Sequence, residues 1–181
     1  MSQHQLQEIP QFYQWNERVG TAGQPRAEQF ALIKEAGYEL VINLSAKPDW
    51  PEALPMEKSV PDERALVERE GMQYVFAPVD WFRPASADLE AFFQLMNDNK
   101  GRKIFVHCAL NCRVSAFLFL YRVIYEKASP EDAKRHVDPL WVAATGKPPE
   151  QHPVWTNFIQ EALQRHQARA MPRQGQGAAL S

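Results

Sequence analysis

Two neighbouring stretches constrain the fold of this chain more than any other part of it. Residues 103 to 108 read KIFVHC, a short run without polar alternation, and residues 114 to 127 read VSAFLFLYRVIYEK, apolar on nearly every helical face. A strand of the first kind suits a central place covered on both faces. A helix of the second kind is buried on most sides. The arrangement that buries both is a layered α/β domain, with a mainly parallel central sheet flanked by helices. With 181 residues, 45% of them hydrophobic, the chain can fill one such core.

Strand and helix patterns alternate through the first two thirds. AEQFALIKEAG (27 to 37) spaces Phe30 and Ile33 helically and stops at Gly37. YELVINLS follows as a strand, and the Pro-rich AKPDWPEALPMEKSVP reads as loop. DERALVEREG predicts a helix ending at Gly71, and MQYVFAPVD a strand running into a turn. ASADLEAFFQLMNDN predicts a helix capped by Ser86, with Leu89, Phe92, Phe93 and Met96 on one face. Beyond residue 128 the pattern is helical only: Ser129 caps a turn with Pro130 inside it, and HPVWTNFIQEALQRH is amphipathic. Residues 1–168 are expected to form a single domain with a helical C-terminal third, residues 1–8 loose and 169–181 a disordered tail.

A net charge of −2 gives no basic excess to recruit nucleic acid. No apolar run is long enough to cross a bilayer. MSQHQLQEIPQF lacks the basic-then-apolar pattern of a signal peptide. The expectation is a cytoplasmic protein whose two cysteines are reduced thiols. The histidines at 4, 136, 152 and 166 lack ligand spacing, so neither metal nor other cofactor is predicted.

Both cysteines fall in VHCALNCRVSAF, where strand hands over to helix. The thiolate is the reactive form of cysteine, and the N–H groups that open a helix favour negative charge on sulfur or on a bound oxyanion. Arg113 can add a planar fork for a tetrahedral anion. Asn111 suits the positive φ of a tight loop. The plainer alternative is that Cys108 and Cys112 are small buried hydrophobes. The joint occurrence of His107, Cys108, Asn111, Arg113 and Ser115 favours an anion cradle.

VHCALNCRVS resembles the signature of the cysteine-dependent protein tyrosine phosphatase superfamily, and the order GTAGQP, VINLS, YVFAPVD, VHC resembles its small atypical dual-specificity branch. It looks closest to the bacterial phosphatase-like family also found fused to beta-lactamase-like hydrolases, over residues 15 to 127. The resemblance implies a protein tyrosine phosphatase-like fold and hydrolysis of phosphate monoesters through a cysteinyl-phosphate. Cys108 would be the nucleophile, Arg113 the phosphate ligand and Asp80 the general acid. Backbone N–H groups of Ala109, Leu110, Asn111, Cys112, Arg113 and Val114 would line the cradle, with His107 and Ser115 in support. The substrate would be a phosphorylated protein or a small phosphorylated metabolite. Oligomeric state is left open.

Between Cys108 and Arg113 stand Ala109, Leu110, Asn111 and Cys112, one residue fewer than the family's loop carries. Two registers compete: a short loop with Arg113 as ligand, or a full-length loop with Val114 in the arginine's place. The first is favoured, since valine cannot supply the charge a dianion demands. The short spacing also resembles rhodanese-type sulfurtransferases, but their fold needs a further strand after the cysteine helix. A third reading is a catalytically weak pseudophosphatase that binds phosphorylated partners. Asp80 also fits a simple turn. Ser115 fits a helix cap better than a catalytic role. Trp81, Phe82 and Arg83 are candidates for the pocket rim.

Overall fold

The structure, a computed structural model, describes residues 3–47, 50 and 60–170. Most of the predicted Pro-rich loop and the end of the predicted tail lie outside the described residues. In chain order the elements are α1 Gln3–Leu6, β1 Tyr13–Gln14, β2 Val19–Ala22, α2 Gln29–Glu35, β3 Leu40–Asn43, α3 Glu63–Arg69 and β4 Gln73–Phe76. They continue as α4 Ser86–Asp98, β5 Ile104–His107, α5 Cys112–Ile124, α6 Pro130–Lys134, α7 Val137–Thr145 and α8 Pro153–Ala170. A short 3-10 turn, Pro149–Gln151, joins α7 to α8.

The sheet order is β1-β2-β5-β3-β4, with β1 antiparallel to β2 and the other pairs parallel. The apolar strand β5 is central, as its uninterrupted hydrophobicity predicts. Alternation along it divides the core in two. Ile104 and Val106 join Phe92, Phe117, Trp141 and Trp155 of the α4, α5, α7 and α8 layer. Phe105 joins Phe30, Ile33 and Val67 of the α2 and α3 layer. The same alternation sends His107 toward α3 and Cys108 into the α5 layer.

Helices α2 and α3 end where predicted, at Gly37 and Gly71, both with positive φ. α5 is buried along nearly its whole length. Burial of each of its large apolar side chains contributes about 1.5–3 kcal/mol before chain entropy is counted. Three details differ from the sequence reading. GTAGQP, left unassigned, supplies three of the four residues of β2, which is buried because it pairs with the central strand. Residues 3–6 are helical rather than loose, and Leu6 and Ile9 are buried in the α2 and α3 cluster. Ser86 is the first helical residue of α4, not its cap: Ala85 precedes the helix, and the Asp88 carboxylate accepts from the Ala85 N–H at 3.3 Å.

Candidate active site

In open parallel sheets, ligand sites form beyond the carboxyl ends of the strands. Cys108 stands there, directly after β5, and is 1% exposed. Its backbone N–H donates to Ala22 O of β2 at 3.3 Å. The chain then turns through Ala109 and Leu110, where Gln24 N–H donates to Ala109 O at 3.0 Å and Leu110 bridges Gly23. Asn111 closes the turn in the left-handed region (φ 65°, ψ 3°), as expected from its residue type. Its Nδ2 donates to Gln11 O (2.9 Å) and Thr21 Oγ1 (3.0 Å), so the loop is tied to β2 and to the segment before β1.

Because α5 begins at Cys112, the N–H groups of Cys112, Arg113 and Val114 open the helix, where no intrahelical carbonyl precedes them. Arg113, 2% exposed, lines a cleft of about 260 Å³ together with Cys108, Ala109, Leu110 and Cys112. Val114 lies in the hydrophobic core and does not line that cleft. The Arg113 guanidinium carbon sits 5.5 Å from the centre of the Trp81 ring, close enough for a cation–π attraction.

Aromatic packing fixes the wall over that guanidinium. Trp81 contacts Trp141 (5.4 Å) and Trp155 (5.2 Å) between ring centroids, and Trp155 Nε1 donates to Trp81 O at 3.0 Å. Ser115 belongs to this brace. It is neither a helix cap nor a group at the cleft: with α5 starting at Cys112, it lies one turn inside the helix. There it donates to Cys112 O (3.0 Å) and accepts from Trp141 Nε1 (3.1 Å).

His107, fully buried, places Nε2 2.7 Å from Glu63 Oε1. Its described bond therefore reaches α3 rather than the cysteine loop. Glu63 also accepts from Gln24 Nε2 (2.7 Å) and Asn43 Nδ2 (3.1 Å). Burial alone would raise the Glu63 pKa. The charge of His107, with bonds from His107, Gln24 and Tyr74, outweighs it and holds the carboxyl below its ordinary range. Ionised Glu63 can only accept, so Nε2 of His107 carries the proton. Burial, reinforced by Cys108 and opposed by Arg113, pushes the Cys112 thiol well above its ordinary range. Both cysteines are free thiols, and Cys112 Sγ donates to Leu110 O at 3.8 Å.

Asp80 does not line the cleft. Its Oδ1 accepts from the N–H groups of Phe82 (2.8 Å) and Arg83 (3.2 Å), and its Oδ2 lies 3.2 Å from Arg83 Nε. This is the turn that its position after Pro78 also allowed. Of the three rim candidates, Trp81 lines the cleft, whereas Phe82 and Arg83 are solvent-exposed. The far wall comes from Ala144, Thr145 and His152, which sequence reasoning missed. The signal was weak: a lone histidine in KPPEQHPVW has no partner at catalytic spacing.

A candidate phosphatase of the DUF442 family from Shewanella putrefaciens CN-32, known as a crystal structure, superposes on this chain with a TM-score of 0.75. The two are 34% identical, over 91% of this chain and 99% of that one. The chain belongs to the DUF442 family. This DUF442 chain is also 33% identical, over 109 residues, to the beta-lactamase hydrolase-like protein of Xylella fastidiosa (strain Temecula1), covering 60% of this chain and 24% of that protein. It thus spans about a quarter of the curated relatives it matches. The P. aeruginosa protein TpbA shares the fold at 14% identity and a TM-score of 0.64, over 90% and 92% of the two chains. No protein-family model matches the sequence. The protein tyrosine phosphatase-like fold expected from the cysteine motif is the fold observed. Among the described residues, no helix is long and apolar enough to cross a membrane.

Proposed function

We propose that this DUF442 protein hydrolyses phosphate monoesters by way of a cysteinyl-phosphate on Cys108. The observation that carries the reading is that Cys108 and Arg113 line one cleft at the head of α5. In this mechanism the Cys108 thiolate attacks phosphorus. The guanidinium of Arg113 and the first N–H groups of α5 hold the equatorial oxygens as charge builds on them. The core position of Val114 supports the short-loop register.

The aromatic and aliphatic walls, Trp81, Leu110 and Ala144, suit an aryl or otherwise apolar phosphate ester. Structural neighbours support a phosphorylated substrate of some kind: a cysteine-to-serine variant of TpbA is known in complex with pTyr and PTPMT1 in complex with PI(5)P. The chemistry needs no cofactor, and a cytoplasmic setting would keep the nucleophile reduced.

Steady-state hydrolysis of p-nitrophenyl phosphate tests the reading. Cys108→Ser should abolish turnover, and Arg113→Ala should lower it by at least about 10²–10³-fold. Wild-type protein that binds phosphorylated peptides without turnover would instead be a pseudophosphatase. A second enzymatic reading, sulfur transfer through a Cys108 persulfide, is favoured by one observation: the Asp80 carboxylate is engaged in its own turn, away from the cleft. Against it, every regular element after β5 among the described residues is helical. Thiocyanate formation from thiosulfate and cyanide, lost in Cys108→Ser, would select that reading.

A further inference from the structure

Cleavage of an unactivated ester needs a proton for the leaving oxygen. Asp80 spends its carboxylate on the N–H groups of its own turn and on Arg83. Among the described residues, none that lines the cleft carries a carboxyl group. One imidazole does line it. His152, half-buried between α7 and α8, packs edge-on against Trp81 (6.0 Å) and Trp141 (5.1 Å). Trp81 is also the ring whose centre lies 5.5 Å from the Arg113 guanidinium carbon, and Trp81, Arg113 and His152 all line the cleft.

The hydrogen bonds determine which ring nitrogen is available. Thr145 Oγ1 lies 2.9 Å from Trp141 O and 2.9 Å from Lys147 O, and accepts from Lys147 N–H at 3.2 Å. With two carbonyls closer than the imidazole, we assign its single proton to one of the carbonyls. His152 Nε2, 3.0 Å from the same oxygen, is then a donor, which leaves Nδ1 as the nitrogen that exchanges a proton.

We propose that His152 is the general acid and base of this cleft, with Thr145 as its positioning residue. The proposal rests on the phosphatase reading above. In the first half-reaction the Cys108 sulfur bonds to phosphorus, the phosphorus–oxygen ester bond breaks, and the leaving oxygen takes the Nδ1 proton of the imidazolium. In the second, neutral Nδ1 takes a proton from water as its oxygen attacks phosphorus. The sulfur–phosphorus bond breaks, returning the thiolate and releasing phosphate. Among the described residues, few ionisable groups face His152. Across the cleft stand Cys108, Cys112 and Arg113, while α7 presents Trp141 and Thr145 and the loop after β4 presents Trp81. Glu150 on the preceding turn is paired with Lys134, which also reaches Asp138.

The test compares kcat/KM against pH for p-nitrophenyl phosphate and phenyl phosphate, in wild type, His152→Gln and Thr145→Val. Phenoxide is the poorer leaving group and depends more on protonation. His152→Gln should lose about 10²–10⁴-fold on phenyl phosphate, much less on p-nitrophenyl phosphate, and lose one limb of the pH profile. Thr145→Val should retain that limb at a displaced pH. Equal losses on both esters with an unchanged profile would overturn the assignment. If His152→Gln does not fold, an unmoved limb in Thr145→Val overturns it alone. A wild-type protein inactive on both esters overturns the phosphatase reading itself, and His152's role with it.

Discussion

Nε2 of His107 and Oε1 of Glu63 lie 2.7 Å apart with both side chains closed off from solvent, one residue before Cys108 and 44 positions apart in the chain. This pair anchors the end of the central strand to α3. It belongs to the opposite face of the sheet from the cleft, so it supports the nucleophile's position from behind.

Removing one partner of a buried pair costs about 3–5 kcal/mol. Glu63→Ala should therefore lower Tm by something on the order of 10 °C. The Glu63 pKa is depressed in the folded state, so its contribution is present above the unfolded carboxylate pKa and is lost as pH falls through the folded value. Thermal melts of wild type should show that acid-side loss, and Glu63→Gln should be flatter over the same range.

Gly23 is packed against the cysteine loop. A Cβ there would stand 2.8 Å from Ala109 O and 3.1 Å from Pro10 O, and both are backbone atoms with little room to yield. Gly23→Ala should displace the loop and lower turnover by about 10²-fold, the scale expected from a shift of about 1 Å at a catalytic group. Circular dichroism should show the fold retained. Turnover equal to wild type would mean that the loop tolerates the displacement.

This glycine also illustrates where the sequence is readable. The junction of β5 and α5 is legible because its local chemistry is distinctive: an apolar strand, a cysteine, a φ-tolerant Asn111, then a helix apolar all round. GTAGQP is not legible as a strand, since the run is short and Gly20 and Ala22 have little intrinsic β preference, so pairing with β5 decides their conformation. Glu63 reads as one more acidic residue opening a helix. Only the folded topology brings it to His107. Ser115 could cap a helix only if that helix opened after it; the N-cap is Asn111, four residues earlier, so Ser115 is an interior position. His152 and Thr145 reach the cleft from the helical C-terminal part, where spacing carries no information about proximity to Cys108.

Asn111 separates backbone strain from side-chain bonding. Asn111→Ala places a Cβ-bearing residue at φ 65° without a polar group, at about 1–2 kcal/mol for the left-handed conformation. It also deletes the bonds to Gln11 O and Thr21 Oγ1, each about 1 kcal/mol. Asn111→Gly deletes only the bonds. Urea unfolding should rank wild type above Gly and Gly above Ala; Ala at or above Gly would show that the conformation carries little of the cost.

The central claim is that Cys108 and Arg113 share one oxyanion. Crystals soaked in orthovanadate test it most directly. The account predicts vanadium bonded to Sγ of Cys108, with the Arg113 guanidinium on two of the three equatorial oxygens and the first N–H groups of α5 on the third. An anion bound elsewhere, or Arg113 turned outward with Val114 facing the cleft, would contradict it.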